Sequence, residues 1–307
     1  LIDINCGVPQ GSILGPILFL LLVNDLPNAS NFFTILFADD TTLQMSSNNL
    51  SLLYEMANKE LDKLADWFKA NKLTLNISKT KYILFRDKKV NIGFENLELA
   101  IENEKIERIG NGCKEESFKF VGVHLDEFLD WNFHAKFVSK KVQGAVFALS
   151  KIRNLLPSHI KYTVYNSLFR SFIEYGISAW GKTVNTEIKR ICILQKRAVR
   201  FIDNAKYNSH SEPIFFKYNI LKFSDLVDYN QASFMYKYVN NLLPSSFDNF
   251  FTKLRNFERS QSFLLVPLNK TYLKYSSSFT IPRLWNSLPL ELKRKSSVIS
   301  FKKSYMK

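Results

Sequence analysis

A run of strand-forming residues, Phe33 to Phe37, stops at two adjacent carboxylates, Asp39 and Asp40, and a second such run, Thr41 to Met45, begins at once. Two β-prone runs meeting at a short polar break read as a β-hairpin with the carboxylates at its tip. Two carboxylates on a rigid turn offer oxygen ligands to Mg²⁺, a hard cation that prefers them. Asp is also an ordinary turn former, so the pair by itself leaves both readings open.

Upstream lies Gly7-Val8-Pro9-Gln10-Gly11-Ser12-Ile13-Leu14-Gly15-Pro16. Two glycines and a proline fix a loop whose backbone approaches a ligand closely. Gln10 brings amide donors and a carbonyl acceptor, and Pro16 suits the first turn of a helix. Taken alone, this is an ordinary Gly/Pro loop. Ile17–Val23 is continuously apolar and predicts a buried helix, which Asn24-Asp25-Leu26-Pro27 ends. Residues 50–71 predict an amphipathic helix. Leu53, Met56, Ala57, Leu61, Leu64 and Phe68 recur at helical spacing, with Lys59, Glu60, Asp62, Lys63 and Asp66 between them. Strand-like pieces come next at Leu99–Ile101, Ile106–Ile109 and Phe118–Leu125.

From about residue 128 the period turns helical. Val138, Val142, Ala145, Leu149, Ile152 and Leu156 form one apolar stripe, and further helices are expected over 159–180 and 187–202. In the last of these Ile191, Leu194, Ala198 and Ile202 share a face. Lys189, Arg190, Lys196, Arg197 and Arg200 gather on the other side, within an arc of roughly 120°.

Charge is distributed unevenly along a chain whose formal net charge is +14. Residues 1–50 hold four acids and no base, residues 151–200 ten bases and two acids, and residues 251–307 twelve bases and two acids. An acidic end that holds cations beside basic segments that hold a phosphate backbone fits a protein acting on nucleic acid. A solvated basic surface is the plainer alternative. Cys6, Cys113 and Cys192 lie too far apart for a disulfide framework or a zinc spacing, which predicts a reducing, intracellular compartment. His124, His134, His159 and His210 have no metal-ligand spacing either. Ile13–Val23 is too short to span a bilayer, so no membrane association is expected.

The GVPQGS loop, an apolar helix and then Leu36-Phe37-Ala38-Asp39-Asp40 resemble motifs B and C of a reverse transcriptase palm. The wording GVPQGSILGP, NDLP, LFADD is similar to that of jockey-type non-LTR (LINE-like) retrotransposon polymerases. Leu75-Asn76 with Lys79-Thr80 resembles motif D. Phe118–Asp126 resembles motif E, the primer grip, with Phe120-Val121 where the family often has Tyr-Leu. Phrases around His124–Trp131, Glu174–Gly181, Leu194–Ile202, Trp285–Pro289 and Ser297–Ser304 extend the likeness over the whole chain.

The fold implied is α+β. An incomplete polymerase palm (antiparallel sheet with helices, 1–127) precedes a helical thumb (128–205) and a basic, aromatic-rich, mostly helical C-terminal region (206–307). The function implied is RNA-directed DNA polymerase, a two-metal nucleotidyl transfer onto a primer 3′-hydroxyl. Its cofactor would be Mg²⁺, or Mn²⁺ in its place, and its partners an RNA template, a DNA primer and dNTPs.

By the same resemblance Asp39 and Asp40 are the catalytic metal carboxylates, and Pro9, Gln10 and Gly11 line the nucleotide and template pocket. Lys79, with Lys81 as runner-up, neutralises or protonates the leaving pyrophosphate. Phe120, Val121 and Gly122 form the primer grip, and Lys189, Lys196, Arg197 and Arg200 track the nucleic-acid backbone. The Asp-bearing motif A strand belongs upstream of the GVPQGS loop. The chain is therefore read as a C-terminal fragment, expected to be inactive alone, from a parent in the nucleus with a cytoplasmic ribonucleoprotein stage. A non-catalytic nucleic-acid-binding remnant, or a domesticated protein, is the alternative. The C-terminal bases and aromatics would either bind single strands or cap the thumb.

Overall fold

A computed structural model of the chain describes residues 11–94, 97–183, 186–254, 260–265 and 276–306. Pro9 and Gln10 therefore lie outside the described residues. The chain forms two compact units, Leu1–Glu116 and Ser117–Lys307.

In the first unit, helix α1 (Gly15–Leu22) begins with Pro16, and the Ser12 Oγ accepts the Gly15 amide at 3.0 Å. The helix forms as expected, but the expectation of burial fails: none of its residues is buried. A helix apolar all round is ordinarily buried, yet Ile17, Leu18, Leu20, Leu21 and Leu22 all stand exposed here. Burial begins only past its C-terminal end, at Val23 and Leu26.

The predicted hairpin forms from β1 (Phe33–Phe37) and β2 (Asp40–Gln44), paired from Phe33↔Gln44 to Phe37↔Asp40. Helix α2 (Leu50–Ala70) is capped by the Asn49 side chain, which accepts the Leu52 amide at 3.1 Å. It buries Tyr54, Ala57, Leu61, Leu64 and Ala65. Leu61 and Ala65 form a small core with Ile101 and Ile106, on which Phe32, Leu43, Leu75, Ile77, Tyr82 and Leu99 pack.

The remaining strands here are short. β3 (Lys81–Ile83) pairs in parallel with β6 (Glu107–Ile109), and β4 (Ala100–Ile101) pairs antiparallel with β5 (Glu104–Lys105). The single antiparallel palm sheet of the sequence reading is thus absent among the described residues. Each pair there stands as a separate two-stranded sheet, and one is parallel.

The second unit opens with hairpin β7 (Ser117–Phe120) and β8 (Val123–Asp126). This hairpin, assigned by sequence to the end of a 1–127 domain, packs β8 on helix α3 (Asn132–Ile152) and belongs with the helices. α3 packs chiefly along α7 (Thr186–Ile202). Between them the chain runs through α4 (Ser158–Tyr165), a π-helical turn over Asn166–Arg170, α5 (Ser171–Glu174) and α6 (Ile177–Trp180). In the π turn the Ser171 amide reaches back five residues to the Asn166 carbonyl.

With 3.6 residues per α turn, positions four apart drift by about 40° per step. The wider turn takes up that drift, and Tyr165, Phe169 and Ile173 all reach the core. α8 (Glu212–Lys217) and the start of α9 (Phe223–Val239) close this core. Gly181 is required at its site, because an added Cβ would lie 2.6 Å from Val227 Cγ2 and 2.7 Å from the Ile177 carbonyl. The expected stripe on α3 is buried at Val138, Val142, Ala145 and Leu149, whereas Leu156 lies beyond the helix and is exposed.

The second half of α9 starts another core. Ala232, Met235 and Tyr236 pack with Phe251, Phe263, Ile281, Trp285 and Phe301. The last three of these come from α10 (Ser277–Ser287) and α12 (Val298–Tyr305), which flank the short α11 (Leu290–Lys293). Here the Trp285–Pro289 phrase has a structural task. Trp285 Nε1 donates to the Gln261 carbonyl at 2.8 Å, and Asn286 exchanges two 2.9 Å hydrogen bonds with the Phe263 backbone. Ser297 caps α12 by accepting the Ser300 amide at 3.1 Å. Trp285 and Phe301, buried in this way, are unavailable for stacking on bases.

Candidate functional site

The chain turns between β1 and β2 at Ala38-Asp39, because Phe37 pairs with Asp40. Asp40 is therefore the first residue of β2 rather than half of the tip. Ala38 has φ +54°, the sign that a two-residue hairpin turn needs at its first central position. Both carboxylates are exposed. The opposite, open end of the hairpin is held by Glu60, which the sequence reading counted among the polar residues of α2 but which is buried.

Glu60 Oε2 accepts the Asn31 amide at 2.7 Å, and Oε1 accepts both Asn31 Nδ2 at 3.0 Å and Lys63 Nζ at 2.7 Å. The Lys63 ammonium, followed by the Asn31 amide, holds the Glu60 carboxyl below its usual range. Glu60 thus ties the entry of β1, and with it the carboxylate turn, to the long helix. Its position three residues after Ala57 and four before Leu64, on the apolar face, was the available sequence signal.

Asp39 and Asp40 supply hard oxygen donors of the kind Mg²⁺ takes. The described residues contain no group of three or more His, Cys, Asp or Glu placed to hold a metal. The donor chemistry fits a divalent cation, and two adjacent carboxylates are an incomplete set for a pair of them. In the loop assigned to nucleotide and template, Gly11 has φ +86° and open space where a Cβ would stand.

The two candidate lysines are separated by their surroundings. Lys79, at the end of the 3₁₀ turn Ile77–Lys79 that Asn76 caps, is exposed. Lys81 is engaged by Glu115 at 2.5 Å and Glu107 at 3.3 Å. Its hydrogen bond to Glu115 keeps its ammonium charged to higher pH than usual. Lys81 is a brace, and Lys79 is the lysine that remains accessible.

The segment read as a primer grip is the β7–β8 turn. Val121 and Gly122 both have positive φ, +42° and +85°, as a type I′ turn requires. Phe120 pairs with Val123 below it. The tip rests on Tyr175, whose hydroxyl donates to the Val121 carbonyl at 2.6 Å and whose ring would lie 3.1 Å from a Cβ at Gly122. Gly122 is needed for both reasons. At the base, His134 Nδ1 accepts the His124 amide at 3.3 Å, and the His134 ring meets Trp180 edge-on at 5.0 Å. Burial pushes the His134 imidazole down to about 4.

On α7 the predicted apolar face is buried in full: Ile191, Leu194, Ala198 and Ile202. The cations opposite it separate into three sets. Lys189 and Lys196 are exposed along one flank. Arg190 and Arg197 turn toward α3 and line an open groove of about 570 Å³. Arg200, assigned by sequence to the backbone track, is half-buried and donates from Nε to the Ser209 carbonyl at 2.8 Å.

Residues 2–125 match the family described as reverse transcriptase (RNA-dependent DNA polymerase). The chain is 23% identical to the RNA-directed DNA polymerase from mobile element jockey of Drosophila melanogaster, over 69% of this chain and 23% of that protein. It is 30% identical to a probable RNA-directed DNA polymerase from transposon BS of the same species, over 66% of this chain and 23% of the relative. It is 26% identical to a Pol polyprotein from the type-1 retrotransposable element R1 of Bradysia coprophila, over 67% and 20%. The chain thus spans only about a fifth to a quarter of the length of these relatives. No solved structure matches it.

Proposed function

Since residues 2–125 carry the reverse transcriptase match and the chain is related to RNA-directed DNA polymerases of non-LTR retrotransposons, we propose that it supplies the carboxylate hairpin and nucleic-acid-binding helices of such an enzyme. The observation that carries this reading is the exposed Asp39-Asp40 pair, presented on a two-residue hairpin that Glu60 anchors within the matched segment. Asp39 would hold Mg²⁺ directly and Asp40 would add charge beside it. The bound cations would favour the ionised primer 3′-hydroxyl and offset triphosphate charge.

Lys79 carries the positive charge for the leaving pyrophosphate. The segment Pro9-Gln10-Gly11 would take part in nucleotide and template binding. The β7–β8 turn, clamped by Tyr175, holds the primer terminus. The flank of α7 bearing Lys189 and Lys196 tracks the phosphate backbone. Among the described residues the donor set is limited to these two carboxylates, and on that reading the 307 residues by themselves would not extend a primer.

Primer extension on an RNA template tests both statements. The 307-residue protein gives no product. A polypeptide lengthened with the coding sequence 5′ of the Leu1 codon extends the primer, and Asp39→Ala abolishes that extension. Extension that survives Asp39→Ala overturns the assignment. Asp39-dependent extension by the 307 residues overturns their incompleteness.

A second reading is supported by the exposed cations of α7, which belong to a unit separate from the carboxylates. In it the chain binds nucleic acid without chemistry, and the lengthened polypeptide stays inactive while binding persists.

A further inference from the structure

The groove between α3 and α7 has a composition that a backbone track does not need. Phe147 is 63% exposed on α3, Ile193 is 53% exposed on α7, and Tyr207 is 74% exposed on the loop after α7. Two largely accessible rings beside one groove are unusual for side chains that gain so much from burial. Each has a cation over it: Lys151 Nζ lies 5.2 Å from the Phe147 centroid and Arg197 Cζ 5.8 Å from that of Tyr207. Arg190, which lies 3.8 Å from Glu187 and donates to Gln143 Oε1 at 2.7 Å, completes the charge, and no carboxylate is among the lining residues.

The Tyr207 loop is fixed in place. Arg153 donates to the carbonyls of Asn204 and Ala205 at 3.1 and 2.8 Å, buried Lys161 reaches Asn204 Oδ1 at 2.6 Å, and Arg200 holds the Ser209 carbonyl. The ring is therefore presented by a braced loop. On α3, Lys140, Gly144, Phe147 and Lys151 fall within an arc of about 60°. Gly144 has nothing within 4 Å of an added Cβ, so the helix carries bare backbone beside the exposed ring.

We propose that this groove binds an unpaired nucleic-acid strand, stacking bases on Phe147 and Tyr207 while Arg190, Arg197 and Lys151 take its phosphates. The inference rests on the nucleic-acid reading above and adds to it a single-strand site distinct from the Lys189/Lys196 flank. Duplex has no free base faces to offer two rings, so the site discriminates by strandedness.

Fluorescence anisotropy of the full 307-residue protein tests it, with labelled oligouridylate, oligodeoxythymidylate and a duplex of mixed sequence as probes. Phe147→Ala and Tyr207→Ala each weaken binding of the single strands by at least about fivefold. Duplex binding is unchanged in both. Single-strand affinity that survives both ring deletions overturns the proposal. If Lys189→Ala with Lys196→Ala still lowers duplex affinity in that case, the wider nucleic-acid reading stands; a wild-type protein that binds none of the probes removes both. Ring variants that leave oligonucleotide affinity intact but dissociate a self-associated species in size-exclusion chromatography would assign the groove to a second copy of the chain, and refute this occupant.

Discussion

A buried imidazole couples the stability of the helical unit to pH. His134 is held neutral by burial, its value down at about 4 against an ordinary 6.5, and His124 beside it is lowered in the same direction and by the same cause. The folded state therefore binds fewer protons than the unfolded chain across that window. Its stability is full above about 6.5, falls as pH drops through the window, and stops falling below about 4. The His134 contribution is on the order of 3 kcal/mol. Asp126, whose carboxyl burial pushes up, works against this at the acid end. Thermal melts across the window should show a steep fall for the native protein and a flatter one for His134→Leu, whatever the absolute stability of the variant. An equally steep fall in the variant would place the acid sensitivity elsewhere. None of this was visible in the sequence, where His124 and His134 carry no ligand spacing. Their pairing comes from β8 lying on α3, a contact that local periodicity does not encode.

At the scale of elements, legibility followed amphipathicity. α7 came out with its predicted face because its apolar residues recur on one side, whereas the face of α2 is rotated: Ala57, Leu61 and Leu64 are buried as expected, Met56 is exposed, and Tyr54, Glu60 and Ala65 turn inward. α1 has the strongest apolar run and was misjudged, since hydrophobicity without a period says helix but not where it is buried. The carboxylate hairpin was readable to within one residue, Asp40 moving from turn to strand. The cations of α7 were readable as a group but not as separate edges. Whether an arginine faces solvent, a groove or a carbonyl depends on α3 and on the 203–210 loop. That separation has a consequence for salt dependence. Lys189→Ala and Lys196→Ala should each reduce the slope of log binding constant against log salt by about 1 with duplex. Arg200→Lys, which loses the Nε donor to the Ser209 carbonyl, should lower the melting temperature and leave the slope alone. Equal slopes in the native protein and the lysine variants would remove that flank from the phosphate contact.

For the molecule as a whole, the family motifs and the physical units do not share a boundary. The reverse transcriptase match runs to residue 125, but the chain divides after Glu116, because β7–β8 finds its apolar partner in α3 and its clamp in Tyr175. A polypeptide of residues 117–307 is expected to fold by itself and to keep a cooperative thermal transition, as both helical cores lie inside it. A non-cooperative melt from that piece would show that the division is not one of stability. Motif wording did not give the packing, since a strand takes its neighbour from wherever apolar surface is on offer, as β8 does on α3. The π turn at Asn166–Arg170 gives its helix slack in length. It holds one residue more than an α turn, so loss of a single codon there tightens it while Tyr165 and Ile173 keep their places. A one-residue deletion at this turn is thus expected to be absorbed within the helix, where the same deletion in α3 or α7 would rotate every following side chain by about 100° off its face.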